Sequence, residues 1–279
     1  MNESPLDQPA EKLDGKNLLY SIQKITLEGS KLALSHFGHA SSRLKVDSST
    51  VTEADIEVEK LLRERLHTLL PGAAFIGEES LGDPLSLKRT RESEWVWVVD
   101  PIDGTALFSS GLSTYAVCVG LLRNGIPWAG SMALPALGQC YSALHGLGAF
   151  LDDVPISVMN EEPPLDQDYL CLSRNAHHYL DVNYAGKVLC FGSTAYHFAL
   201  VAAGIALGAV GRAHIWDHVA TAAIIKEAGG KIRHLDGREV DWVKACDGAH
   251  FDVPLAAASP VLWDRMVKGV SLRESPKHS

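Results

Sequence analysis

The chain has 279 residues, 46% of them apolar and 21% charged, which is enough to bury one large core or two coupled smaller ones and excludes a disordered chain. Its 25 basic residues against 34 acidic ones give a net charge of -9 with no Lys/Arg-rich run, so a sequence-independent grip on nucleic acid or anionic lipid is not expected. Five cysteines, Cys118, Cys140, Cys171, Cys190 and Cys246, odd in number and without C-x-x-C spacing, read as reduced core residues of a cytoplasmic protein.

Met1 to Asp14 is polar and acidic, without the apolar run of a signal peptide, and is expected to be a short disordered tail. Leu18, Leu19, Ile22, Ile25 and Leu32 recur at helical spacing and predict a helix over 12–38. Ser41 to Thr50, with Arg43, Lys45 and Asp47, reads as a polar surface connector. A second helix begins at Thr52, buries Val58, Leu61, Leu62, Leu66 and Leu69, and stops at Pro71-Gly72. Asp55 falls in its first turn, where Thr52-x-x-Asp55 resembles a capping box.

A short strand at Ala73 to Ile76 exits into Gly77-Glu78-Glu79-Ser80, and a charged linker over 83–94 follows. Trp95 to Val99 is five consecutive apolar residues, a fully buried strand that delivers Asp100-Pro101-Ile102-Asp103-Gly104-Thr105 at its exit. Runs at Tyr115 to Leu122, Ile126 to Ala133, Gln139 to Ala143 and Gly148 to Leu151 predict an antiparallel meander, with a hairpin at Asn124-Gly125. An acidic, Pro-containing stretch at 152–168 suits a boundary, giving an α+β portion over 1–155 and an α/β portion over 156–279.

In the second portion, strands at Tyr169 to Leu172 and Lys187 to Phe191 alternate with helices at His197 to Leu207 and His218 to Ala228. Phe198 to Val210 is the most apolar stretch; it is too short for a bilayer span and predicts a tightly packed core helix. Strands at Lys231 to His234 and Leu255 to Ala258 and a helix from about Pro260 to Val270 complete the pattern.

Asp55, Glu78, Asp100, Asp103 and Asp217 each lie at a helix start or strand end, where side chains from distant segments can meet at one edge of a layered fold. Taken singly, an Asp pair can be a capped turn and a Glu pair a solvated loop. Together they form an oxygen-only donor set, which selects Mg²⁺ or Mn²⁺ over zinc. The Gly104-Thr105 N–H groups, opening a short helical turn, supply an anion cradle beside it. The chemistry is that of metal-assisted hydrolysis of a phosphate ester.

Asp100-Pro101-Ile102-Asp103-Gly104-Thr105, preceded by Gly77-Glu78-Glu79 and followed by Trp216-Asp217 and Glu227-Ala228-Gly229-Gly230, resembles the inositol monophosphatase family of lithium-sensitive, Mg²⁺-dependent phosphatases. The resemblance implies a layered αβαβα sandwich and a homodimer. It implies that Glu78, Asp100, the Ile102 carbonyl, Asp103 and Asp217 hold the metal, and that Thr105, bonded to Asp55, orients the attacking water. Glu79 is expected outside that set. The substrate it implies is a small phosphorylated metabolite: an inositol phosphate, histidinol phosphate, a sugar phosphate or a nucleotide 3′-phosphate. A catalytically weak metal- and phosphate-binding regulatory homologue is the non-enzyme alternative.

Two positions depart from the family pattern. Ala106 and Leu107 follow Thr105 where many members place a polar Asn, so Leu107 is expected to pack instead. Val210 stands where inositol-hydrolysing members carry a Glu that contacts sugar hydroxyls, which puts inositol in doubt. Ser173, Arg174, Ser193, Thr194, Arg212 and His214 are candidates to face the leaving group, with Ser193-Thr194 equally readable as a helix cap. Arg212 and His214 suit a leaving group carrying negative charge or a flat polar ring. His177, His178 and His218 lack ligand spacing and read as surface or core residues.

Overall fold

In the computed structural model, which describes residues 14–38, 42–44, 50–82 and 84–273, the chain opens with α1 (Gly15–His36). Asp14 caps it by accepting the Asn17 N–H at 2.9 Å, and its Ile22 and Ile25 stripe is buried. Strands β1 (Ser42–Leu44) and β2 (Thr50–Thr52) pair antiparallel. The expected amino-terminal tail, apart from Asp14, lies outside the described residues, as do Lys45 and Asp47 of the connector. Helix α2 (Glu53–Leu69) packs on α1, with Gly29 set against Leu62.

The first sheet follows. Its strands are β3 (Ala74–Gly77), β4 (Trp95–Asp103), β5 (Ala116–Arg123), β6 (Ile126–Leu134), β7 (Gln139–Leu144), β8 (Gly148–Leu151) and β9 (Val154–Ile156), in that spatial order. Only β3 and β4 run parallel; the rest is the expected meander, and Asn124 and Gly125 turn the β5–β6 hairpin at φ 49° and 71°. The charged linker contains a helix, α3 (Pro84–Arg91), that was not expected because it carries no apolar stripe. A short helix, α4 (Thr105–Ser109), leaves the end of β4.

The second half contributes β10 (Tyr169–Leu172), α5 (Ala176–Tyr179), β11 (Leu180–Val182), β12 (Lys187–Leu189), α6 (Thr194–Ala202), β13 (Gly208–Gly211) and α7 (Ile215–Glu227). It ends with β14 (Lys231–His234), α8 (Trp242–Ala245), β15 (Leu255–Ala258), α9 (Trp263–Lys268) and β16 (Val270–Leu272). Five strands form a mixed sheet in the order β12-β10-β13-β15-β14, and β11 pairs with β16.

Three expectations change here. The apolar run over 198–210 is not one helix: Gly204 turns the chain at φ 67°, and Gly208 begins β13 where Met266 leaves no room for a side chain. The last helix is shorter than 260–270, because Val270 leaves it to pair with Val182. Cys190 is exposed, whereas the other four cysteines are buried as expected.

The layers follow from burial on both faces of each sheet. On β4 and β5, Trp97, Val99, Val117, Val119 and Leu121 face α1 and α2, while Val96, Val98, Ala116, Cys118 and Leu122 share a core with α6 and α7. The five-stranded sheet packs on the other side of α6 and α7, and its outer face meets α9. The result is an αβαβα stack.

Helix α7 lies unusually close to the first sheet. Gly120 and Gly130 are cross-strand partners on β5 and β6, and a Cβ on Gly130 would sit 2.1 Å from the Ala220 carbonyl oxygen. On Gly120 it would sit 2.8 Å from the Ala220 nitrogen. The paired glycines make a notch for the α7 backbone, which fixes where the amino-terminus of α7, and with it Asp217, meets the end of β4. At its other end Glu227 accepts the Gly146 and Gly148 N–H groups at 3.0 and 3.2 Å.

Candidate active site

β4 does not end at Val99 as its apolar run suggested; it stays paired to Asp103, and the register slips on the way. Asp100 faces Cys118 and Asp103 faces Ala116, so β4 carries one residue more than β5 across this step. In a regular strand residues three apart point to opposite faces, and the bulge cancels that alternation. Pro101 is tolerated there because the bulge asks no N–H of it. Asp100 Oδ1 accepts the Ile102 N–H at 3.0 Å, and Asp100 and Asp103 are only 1% and 5% exposed.

Two helix starts bring the other carboxylates. Asp55 and Asp217 hold the same position in their helices, the third helical residue, which closes a capping box. Asp217 Oδ2 accepts the His214 N–H at 2.8 Å. Asp55 Oδ2 accepts from the Thr52 N–H and hydroxyl at 2.7 and 2.6 Å, while its Oδ1 accepts from the Thr105 hydroxyl at 3.1 Å. Capping and contact with Thr105 are therefore not alternatives, since each uses a different oxygen. The Thr105 hydroxyl also lies 3.0 Å from the Ile102 carbonyl oxygen.

Asp103 is held by the start of α6. Its carboxylate takes the Ser193 hydroxyl at 2.5 Å, the Ala195 N–H at 2.7 Å and the Thr194 N–H at 3.3 Å, while Ser193 itself caps α6 by accepting the Tyr196 N–H. Carboxylate oxygens of Asp100, Asp103 and Asp217 lie within 4.8 Å of one another. Glu78 is outside that trio but close enough for its charge to act on Asp100 and Asp217.

Crowding and burial dominate the electrostatics. Loss of solvent pushes Asp100 well above the usual carboxylate range, and the charges of Glu78, Asp217 and Asp103 push it further. Asp217 is raised well above that range by the same loss and by Asp103 and Glu78, against the His214 N–H. Burial raises Asp103 too, opposed first by the Ser193 hydroxyl and then by the Ala195 and Thr194 N–H groups and Arg174. Asp55 is raised by burial against its bonds from Thr52 and Thr105. Acidic oxygens converging at this distance, with no His or Cys among them, fit a hard divalent cation.

These groups open onto a cleft of about 830 Å³. Glu78, Asp100, Ile102, Asp103, Gly104, Thr105 and Asp217 line it, together with Ser173, Arg174, Thr194, Arg212 and His214. Gly104 takes φ 90°, a left-handed conformation that starts α4, and Leu107 packs against Gly192, as its apolar character predicted.

Some candidates are committed elsewhere. Ser193 is fully buried, outside the cleft lining, and spends both its bonds on the α6 cap and Asp103. The Ser173 hydroxyl bonds the Tyr179 hydroxyl, and the Arg212 guanidinium bonds the carbonyls of Phe251 and Asp252. Val210 does not face the leaving group at all: it lies in β13, 1% exposed, in the core beneath the five-stranded sheet. His177 and His178 are exposed on α5, and His218 is buried against Phe198 and Phe251, where burial lowers its pKa to about 3.

Glu59 was missed. Its side chain, on a residue 3% exposed, accepts the Glu79 N–H at 2.7 Å and the Ser80 hydroxyl, and it occupies the space where Gly77 would carry a Cβ. It thereby clamps the turn that presents Glu78. The signal was in the spacing, because Asp55, Glu59, Leu62 and Leu66 share one face of α2.

A layered αβαβα fold with this acidic cleft defines the chain as a hydrolase of phosphate monoesters, and sequence comparison gives the family. The model of the inositol monophosphatase family matches residues 17–254. The chain is 33% identical to the inositol-1-monophosphatase ImpA of Mycolicibacterium smegmatis over 253 residues, covering 84% of each chain. It is 34% identical to a histidinol-phosphatase of Chlorobaculum parvum, covering 75% of this chain and 82% of that one. Among solved structures, an inositol monophosphatase from Thermotoga maritima superposes with a TM-score of 0.74 at 25% identity, over 91% of this chain and 96% of that one. The chain belongs to the inositol monophosphatase family.

Proposed function

We propose that this chain is a Mg²⁺-dependent phosphatase, with Mn²⁺ as a substitute ion, that hydrolyses a small phosphorylated metabolite by attack of an activated water. The observation that carries the reading is the meeting, in one cleft, of the Asp100, Asp103 and Asp217 oxygens with the Thr105–Asp55 pair. Inositol phosphate and histidinol phosphate come from the names of the relatives above, and a 3′(2′),5′-bisphosphate nucleotidase of Aggregatibacter actinomycetemcomitans, 27% identical over 80% of this chain and 86% of its own, adds a nucleotide. The reading carries with it a cytoplasmic homodimer.

Glu78, Asp100, the Ile102 carbonyl, Asp103 and Asp217 would hold the cation. When bound, it supplies Lewis acidity to the phosphate ester and to the attacking water. The Thr105 hydroxyl donates to Asp55 Oδ1, which leaves its lone pairs to accept a hydrogen bond from a water in the cleft. As that water attacks phosphorus and the P–O bond to the alcohol breaks, the water's proton passes to Thr105 Oγ1 and the Thr105 proton to Asp55, while the departing alkoxide takes a proton from solvent in the cleft. Burial raises the Asp55 pKa and so favours the protonated product of that relay. The N–H groups that open α4 after Gly104, in the same cleft lining as the carboxylates, would take phosphate oxygens.

Turnover of phosphomonoesters should require Mg²⁺ or Mn²⁺ and vanish with chelator, and Thr105→Ala should lower kcat about a hundredfold with little change in the half-activating Mg²⁺ concentration. Full turnover in chelator refutes the metal reading, and an unchanged kcat removes Thr105 from the mechanism. Binding of Mn²⁺ and inorganic phosphate without turnover of any ester would mark a regulatory homologue instead.

A further inference from the structure

One wall of the cleft is a column of flat rings. Trp216 lies at its base, 6% exposed; the His214 ring is 9° from parallel with the indole at 4.5 Å between centroids; His250 lies against His214 at 3.6 Å between centroids, tilted by 37°. The column is anchored at both sides. Trp216 belongs to the first turn of α7, next to Asp217, and His214 Nδ1 is fixed by the Gly248 carbonyl at 2.8 Å, on the loop that carries His250. The outermost ring, His250, is exposed and lines the cleft.

Elsewhere the cleft lining mixes apolar side chains with polar ones such as Arg174 and Asn175. Leu81, Leu107 and Ala213 present apolar side chains to the cleft, while the side chains of Ser173 and Arg212 are bonded to Tyr179 and to main-chain carbonyls. A planar ring on the wall of rings adds to the contacts already made among Trp216, His214 and His250.

We propose that His250 is the stacking surface for the leaving group, and that the substrate is a phosphate monoester of an alcohol carrying a flat heteroaromatic ring. The proposal rests on the phosphatase reading above and names the substrate class of that same cleft. The ring sits face to face on the His250 imidazole while its phosphate lies against Thr105 and the carboxylates. His250 acts on selection and not on the phosphoryl group.

The test compares kcat/KM at saturating Mg²⁺ for two ring esters, histidinol phosphate and adenosine 3′-phosphate, and two polyol esters, inositol 1-phosphate and glycerol 2-phosphate. A ring ester should lead in the wild type. In His250→Ala the ratio of that ester to the polyol esters should fall about tenfold, through KM, and His250→Phe should restore it by keeping a flat face without the imidazole nitrogens. A polyol ester in the lead, or an unchanged ratio in His250→Ala, overturns the proposal and leaves the phosphatase reading standing. Failure of the wild type to hydrolyse any of the four with Mg²⁺ or Mn²⁺ overturns both.

Discussion

Ser193→Ala separates a structural role for the start of α6 from a substrate-binding one. In the fold Ser193 has no exposure, caps α6 through the Tyr196 N–H at 3.1 Å, and donates to Asp103 at 2.5 Å. Loss of a serine cap costs about 1 kcal/mol, and loss of a hydrogen bond to a carboxylate about 2 kcal/mol. Asp103 keeps the Ala195 and Thr194 N–H groups, so its charge is not stranded, and about 3 kcal/mol is the expected total. For a chain of this size that is a fall in Tm of about 6–12 °C. The Ser193 hydroxyl is also the largest influence holding the Asp103 pKa down, so Asp103 should rise further, weakening Mn²⁺ binding near neutral pH and letting it recover in alkali. Calorimetric unfolding and Mn²⁺ titration followed by EPR measure the two effects. A loss under about 0.5 kcal/mol with unchanged Mn²⁺ affinity, accompanied by a raised KM, would refute this reasoning and return Ser193 to the substrate.

Gly130→Ala should destabilise the fold by about 3 kcal/mol or more, since its Cβ meets the α7 backbone rather than a side chain that can move; denaturant unfolding checks this, and a cost near zero would mean that α7 is not seated in the glycine notch. His197, 1% exposed and accepting the Phe191 N–H at 2.7 Å, has its pKa lowered by burial from 6.5 to about 4. The native state therefore binds fewer protons than the unfolded one between those values. This contribution is complete above 6.5 and is lost as pH falls, so at about pH 5 the wild type should have lost about 2 kcal/mol relative to His197→Gln, read from urea unfolding against pH. Parallel pH profiles for the two proteins would contradict it.

What the sequence made legible was what local pattern encodes. The stripes of α1 and α2, the meander with its Asn124-Gly125 hairpin, and the Gly229 stop of α7 all follow from periodicity and from residues that break it. Helix α3 escaped because its side chains are mostly polar, and the run over 198–210 misled because apolarity without period cannot tell a helix from a strand. The carboxylates were found through motifs. The bonds that aim them were not, because Ser193 and Asp103 are 90 positions apart and nothing local in either segment reports the other. Val210 was misjudged for the same reason: only the pairing of β13 with β10 and β15 shows that its side chain belongs to the core.

The capping and site roles of these acids form one arrangement. Asp217 ties Oδ2 to the first turn of α7, Asp55 ties Oδ2 to that of α2, and Asp100 ties Oδ1 to its own bulge, so each carboxylate is fixed through one oxygen, and the second oxygen of Asp55 is taken by Thr105. Asp103 receives N–H bonds from α6, whose helix dipole favours negative charge at that end. Backbone N–H donors thus oppose the repulsion between the acids and lock their rotamers by bonds internal to the chain. Burial and mutual repulsion still leave Asp100 and Asp217 strongly raised, which means that hydrogen bonding alone does not balance the cluster. A divalent cation held at these oxygens would supply the missing charge, and the bonds that tie these acids to three helix starts would then also hold the oxygens that face it.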